Sequence, residues 1–355
     1  MGTKPFIGLK QLLVFFCIGA VVGGCSSAKI AINVTTLPDN PLTDPVQTIA
    51  LINAVNVNIA QTNQFVNGTV VASFNGSTNY LVQRSFLKME SIFNNGQYFQ
   101  AFDTAFSFLP KTGTFRSNTL PVALMIKACR AAKVDAIITI EGYTADIDSD
   151  SEVRYSTPVD RTYGTIRVPY FDGEQSVFMK MLFRAYSCKS YEGELDFQTL
   201  ASTQVSRSTT GSSPYEVSHN MQNAGSILVE AAENIAVDFA NHIGPQSSSI
   251  SRKIYTKGND QMAQAYGLAG LGDWNGANNI WYLLATSNNL TIAARATYNL
   301  ILGNEVLMNF KEAYELAEIC KDKYGMKKID DYVSVLKERE GEIAELRRLF
   351  PSILL

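Results

Sequence analysis

The spacing of apolar positions changes character several times along this chain, and the changes divide it. Leu12 to Val22 is an unbroken apolar run preceded by Lys4 and Lys10. It is too short to span a bilayer, which takes about 20 such residues, and has the length of a secretory signal core. Residues 26–45 carry Pro38, Pro41 and Pro45 among Thr, Asn and Asp, which predicts an extended tether. From 46 the chain alternates between two periods. Val46 to Val57 reads as a buried strand, and Tyr80 to Phe93 has helical spacing through Leu81, Phe86, Leu87 and Phe93. Tyr98 to Phe106 alternates as a strand. Pro121 opens a helix to Ala132 with Leu124, Met125, Ala128 and Cys129 inward, and Val134 to Ile140 is a short β-branched strand.

A meander is expected next. Thr165 to Phe171 is read as a strand, Asp172-Gly173-Glu174 as a turn, and Ser176 to Tyr186 as a long strand with Val177, Met179, Met181, Phe183 and Ala185 on one face. Gly193 to Leu200 is a further strand, and Ser206 to Ser213 a polar loop. Pro214 to Ile243 reads as one amphipathic helix through Val217, Met221, Ala224, Leu228, Ala231 and Ile235, stopped by Gly244-Pro245. From about 257 the pattern is helical throughout. Two stretches align there: Asp273-Trp274 and Ala277 recur as Asn309-Phe310 and Ala313, 36 residues later. A closing helix is expected over about Asp331 to Leu349. The order predicts an α+β fold: a mixed sheet with packed helices over 46–256, then an all-α domain of helical hairpins over 257–355.

Composition narrows the chemistry. The chain has 46% hydrophobic and 18% charged residues, which describes a globular protein. The net charge is −3, and without Lys4 and Lys10 there are 28 basic against 33 acidic residues, so a basic face for nucleic acid is not expected. His219 and His242 are the only histidines. On one straight helix they would stand about 35 Å apart at 1.5 Å per residue, which argues against a shared metal or a Ser-His-Asp triad. No cofactor, no metal and no catalytic set is expected, and the chain is read as a non-enzyme. Beyond Cys17 and Cys25, the cysteines are Cys129, Cys188 and Cys320. An oxidising compartment would allow Cys129–Cys188, and the alternative preferred here is three small buried hydrophobes.

Several motifs then form one resemblance. Val22-Gly23-Gly24-Cys25 looks like a lipobox, which implies cleavage after residue 24 and a lipid on the Cys25 thiol. The 36-residue period is close to that of the tetratricopeptide (TPR) hairpin, which Ala296-Thr297-Tyr298-Asn299-Leu300, Asn309-Phe310, Ala313, Ala317 and Cys320 resemble. The element order of 46–245, closing on Asn241-His242-Ile243-Gly244-Pro245, is similar to the curli-secretion lipoprotein (CsgG-like) or TolB-amino-terminal-like α/β domain. Together these resemble a lipoprotein family of Bacteroidota. The resemblance implies a signal peptide over 1–24, a lipidated Cys25 with a tether to 45, an α/β domain over 46–256 and TPR-like hairpins over 257–355. It implies a cell-envelope lipoprotein on the periplasmic face of the outer membrane that binds envelope proteins or peptides as a scaffold. A CsgG-like secretion or pore subunit is the alternative. Lys180 and Arg184 on the meander strands suit a soluble sheet, so the resemblance carries architecture and no pore.

The candidate binding site is the inward face of the hairpins: Met262, Tyr266 and Ala269 from the first, and Arg295, Tyr298, Asn299, Leu302 and Glu305 from the second. That mixture of rings, amide and charges suits an extended peptide or a neighbouring helix. The face is equally well filled by the α/β domain or the closing helix of the same chain. Asp146, Asp148, Asp150 and Glu152 alternate as in a calcium loop, but Ser151 and Thr157 stand where glycine and the closing acid belong, so a solvated acidic loop is expected. The spaced Gly267, Gly270, Gly272 and Gly276 follow no strand and read as helix packing and a turn. Trp274 and Trp281 read as hairpin core.

Overall fold

A computed structural model describes residues 27–55, 62–66, 69–74, 78–96, 98–111, 118–189, 193–221 and 224–353. The apolar leader, the lipobox and Cys25 lie outside the described residues. In chain order the elements are β1 (Ser27–Thr36), β2 (Thr48–Asn53), β3 (Thr62–Val66), β4 (Thr69–Phe74), α1 (Thr78–Asn95), β5 (Gln100–Thr104), α2 (Val122–Ala132), β6 (Ala136–Ser156), β7 (Val159–Asp160) and β8 (Gly164–Thr165). Then come β9 (Val168–Ser187), β10 (Leu195–Gly211), α3 (Pro214–Asn220), α4 (Ala224–Ile243), β11 (Gln246–Tyr255), α5 (Asp260–Gly270), α6 (Trp274–Ala285), α7 (Leu290–Val306), α8 (Phe310–Asp322) and α9 (Ile329–Leu349). The architecture is α+β, a mixed sheet followed by a run of helices. The described chain forms two compact units, one of Thr36–Gln246 with the end of α9, the other of β1 with Ser247–Ile343.

The first unit is built on a five-stranded sheet of order β10-β9-β6-β2-β5. β2 runs parallel to both β5 and β6, while β6, β9 and β10 are antiparallel. Helices cover both faces, so β2 and the start of β6 are apolar without alternation. On one face α2 closes over Ala50, Ile52, Ile137 and Tyr186. On the other, Phe183 of β9 stacks on Phe239 of α4 at 4.1 Å, and the Ser85 hydroxyl of α1 donates to the Ala232 carbonyl of α4 at 3.0 Å.

Several expected boundaries differ, for one physical reason. β6 and β9 run 21 and 20 residues, far beyond the usual five or six. In their outer halves the covered face carries small or polar residues, such as Ser149 and Ser151 of β6 and Gly173 and Gln175 of β9, so apolar alternation is weak there. Asp146, Asp148, Asp150 and Glu152 therefore sit on the exposed face of a strand and not in a loop. Asp172-Gly173-Glu174 is the interior of β9, not a turn, paired with Glu152, Ser151 and Asp150. Gly173 is required there because a Cβ would overlap Val217 and Met221. Ser206–Gly211 likewise continues β10. The helix expected over 214–243 is two helices: Met221 caps α3 with φ −59° and ψ 135°, a non-helical conformation.

The cysteines also depart from the preferred expectation. Cys129 and Cys188 form a disulfide with Cα atoms 5.3 Å apart. The Cys188 amide donates to the Asp135 carbonyl at 2.8 Å, which holds the residue after β9 beside the start of β6, under the last turn of α2. Cys320 is free and buried, and burial pushes its thiol up to about 12.

In the second unit β1 pairs with β11. The proline-containing stretch is thus not all tether: residues 27–36 are strand, with Ile30 and Ile32 buried. By packing, β11 from Ser247 onward goes with the helices that follow it. Side-chain caps set the starts of the first three of those helices. Asn259 accepts from the Met262 amide, Asp273 from Gly276, and Asn289 from Thr291 and Ile292. Ala277, Trp281 and Ala313 are fully buried where successive helices meet.

Candidate functional site

α7 is the axis of the second unit, and its buried face carries Thr297, Asn299, Asn304 and Glu305 among alanine and leucine. Buried polar groups must find partners. Thr297 and Asn304 bond back to carbonyls of their own helix. Asn299 reaches outward. Its amide donates to the Tyr255 carbonyl at 2.7 Å and its carbonyl accepts the Tyr255 amide at 2.8 Å, so one side chain satisfies both backbone groups of the last residue of β11. Glu305 accepts two bonds from Arg252 at 2.7 and 3.0 Å on one oxygen and the Tyr332 hydroxyl at 2.7 Å on the other. Arg295 donates to the Lys257 carbonyl at 2.8 Å.

The residues of the expected groove divide by burial. Met262, Asn299, Leu302 and Glu305 are buried, while Tyr266, Arg295 and Tyr298 are half-buried. Of the two occupants weighed for this face, the chain itself holds it: β11, the residues after it and Tyr332 of α9. The alternation in Ser249-Ile250-Ser251-Arg252-Lys253-Ile254 marks β11 in the sequence. No local pattern assigns its partner, because Asn299 lies 44 residues away.

We expect Asn299→Leu to cost about 1–3 kcal/mol, since it strands the Tyr255 amide and carbonyl. Amide exchange at Tyr255 should accelerate while exchange in the buried start of β6 stays unchanged. Equal protection in the variant would contradict the docking role.

Beside this junction lies a cavity of about 560 Å³. β11 contributes Arg252, Lys253 and Tyr255, α7 contributes Tyr298, and Met326 to Val335 close it with Lys327, Lys328, Ile329 and Tyr332. Tyr298 meets Tyr255 edge-on at 5.2 Å and lies 5.5 Å from Tyr332. The Lys253 ammonium donates to the Tyr255 hydroxyl at 3.0 Å and sits 4.6 Å from its ring centre. Burial, reinforced by Tyr255, pushes the Tyr298 phenol up to about 12. Burial and the Glu305 carboxylate raise Tyr332 well above its ordinary value. Burial works against the Arg252 charge, but the hydrogen bond and charge of Glu305 prevail and hold the guanidinium above its usual value. The Tyr298 and Tyr332 phenols stay protonated at physiological pH, and Arg252 is paired with Glu305.

Other candidate positions separate. Glu141 is completely buried, bonded to Arg184, Tyr186 and Thr139, whereas Asp146 is exposed further along β6. Asp150, Glu152, Asp172 and Glu174 gather around a shallow cavity of about 110 Å³ with Arg154 among them. Trp274 and Trp281 are buried in the hairpins. Among the described residues no helix is long and apolar enough to cross a membrane.

Residues 46–255 match the model of a domain of unknown function, DUF8603. Residues 263–338 match a second domain of unknown function, DUF6340. No curated protein matches the chain. Among solved structures it is similar to one described as a neuraminyllactose-binding hemagglutinin homolog from Helicobacter pylori, at 9% identity over 58% of this chain and 87% of that chain with a TM-score of 0.27. Likeness of that degree carries no argument about fold or ligand.

Proposed function

We propose that the chain, which belongs to the DUF8603 family, is a lipid-anchored cell-envelope protein that works as a binding scaffold rather than an enzyme. The observation that carries this reading is the grip of α7 on β11. Asn299 recognises an extended backbone, and Glu305 and Arg295 secure the residues on either side. A helical array that takes a strand of its own chain this way has the chemistry of a peptide-binding module, here of TPR-like hairpins used in cis. Tyr282, Leu283 and Leu290 stay exposed around the link between α6 and α7, where a partner protein can bury them.

The anchor in this reading is Cys25, at the end of the apolar leader. Stable anchoring needs more than one acyl chain, which the lipobox resemblance supplies. The wild-type chain is expected in the membrane fraction carrying labelled palmitate, and Cys25→Ala in the soluble fraction without label. Cross-linking in intact cells should give a defined set of envelope proteins, lost with Leu283→Lys and Leu290→Lys. An unlabelled wild-type chain, or an unchanged partner set in the lysine variants, would contradict the anchor or the scaffold respectively.

A second reading, a subunit of a CsgG-like secretion or pore assembly, is favoured by the length of β6 and β9. The outer ends of these strands carry exposed Val153, Tyr155 and Val168, and the segment that joins them carries exposed Val159 and Tyr163. That reading requires a large ring in detergent, and a monomer would dismiss it.

A further inference from the structure

We propose that the cavity between β11, α7 and the start of α9 binds a small anionic amphiphile: a flat or apolar body bearing one acidic group, carboxylate, phosphate or sulfonate. The inference is independent of the lipid anchor and of partner proteins. A volume of about 560 Å³ falls within the range of small-molecule sites. Its interior is apolar, made by the rings of Tyr255 and Tyr298 with Met326, Ile329 and Val335. Its charged groups are mainly cationic. Arg252 is matched by Glu305 and serves as wall, which leaves Lys253, Lys327 and Lys328 against the single carboxylate of Asp331.

Those two properties fix the class together. A neutral apolar ligand would displace water from the ammonium groups and return nothing to them. A small, strongly hydrated anion would leave the aromatic and aliphatic walls unused. An acidic group near Lys253 meets an ammonium already held 3.0 Å from the Tyr255 hydroxyl and 4.6 Å from its ring, so little side-chain freedom remains to be lost on binding. Low-dielectric walls also strengthen each charge contact relative to open solvent.

Two probes share a body and differ in charge: 1-anilinonaphthalene-8-sulfonate and the neutral N-phenyl-1-naphthylamine. Titrated into the folded chain, the sulfonate should bind one-to-one with enhanced fluorescence, about tenfold tighter than the neutral probe. The triple variant Lys253→Gln, Lys327→Gln, Lys328→Gln alters exposed side chains, and circular dichroism confirms that it folds. It should lose that tenfold advantage and keep its affinity for the neutral probe. Val335→Trp, which fills the cavity, should abolish both. Equal affinity for the two probes in the wild type, an unchanged sulfonate affinity in the triple variant, undiminished binding to Val335→Trp, or no binding at all would each overturn the proposal.

Discussion

Arg184→Met should destabilise the sheet unit by about 3–5 kcal/mol, the cost of leaving a buried carboxylate without its cation. The Arg184 and Glu141 side chains are 4% and 0% exposed, and their charges meet at 2.6 Å. Glu141 also accepts the Tyr186 hydroxyl at 2.5 Å and the Thr139 hydroxyl at 2.8 Å, while Arg184 donates to the Asn118 carbonyl at 3.0 Å and to Gln198 at 3.1 Å. The network ties β6 to β9 in the buried interior of the sheet unit. The double variant Arg184→Met with Glu141→Leu should recover most of the loss, because neither charge is then desolvated. Urea midpoints followed by circular dichroism provide the measurement, with an unchanged slope marking a change of stability alone. A single-variant cost below about 1 kcal/mol would place the pair in the class of solvated surface pairs.

Removing the disulfide is the second large effect. Cys129 and Cys188 are separated by 59 residues, and closing a loop of that length restricts the unfolded chain by about 4 kcal/mol. The double variant Cys129→Ala, Cys188→Ala should lose about that much stability, read as a lower urea midpoint, and reduction of the wild-type chain should reproduce the shift. Cys320, buried with its thiol pushed up to about 12, should resist alkylation until the helical unit unfolds. If neither reduction nor the double variant moved the midpoint, the crosslink would contribute nothing to the fold. A bond of this kind persists in oxidising compartments, which agrees with the secretory reading of the first residues.

The candidate site shows where local pattern stops being informative. In the sequence Tyr298, Asn299 and Glu305 place a ring, an amide and a carboxylate on one face of a helix. That face is indeed where α7 makes its polar contacts. The sequence does not say that the partner is the chain itself. β11 is largely polar, and its pairing with β1 and its docking on α7 join residues far apart along the chain. The cavity was equally invisible, since Lys253, Tyr298 and Lys327 come from three separated segments.

By itself the sequence determined the elements whose burial is one-sided or complete. The start of β6, the helices α2 and α7, and the repeated Ala277 and Ala313 contacts are legible because core-facing residues recur at the period of the backbone they sit on. The tertiary structure alone decided the length of β6, β9 and β10, whose outer halves put small and polar residues such as Ser149, Gly173 and Gln175 on their covered face and so carry little apolar signal. It also decided that Gly173 lies in a strand under α3, that Cys129 meets Cys188, and that β11 fills the face of α7. In each case the deciding contact is between residues distant in sequence, and such contacts are set by packing geometry rather than by local propensity.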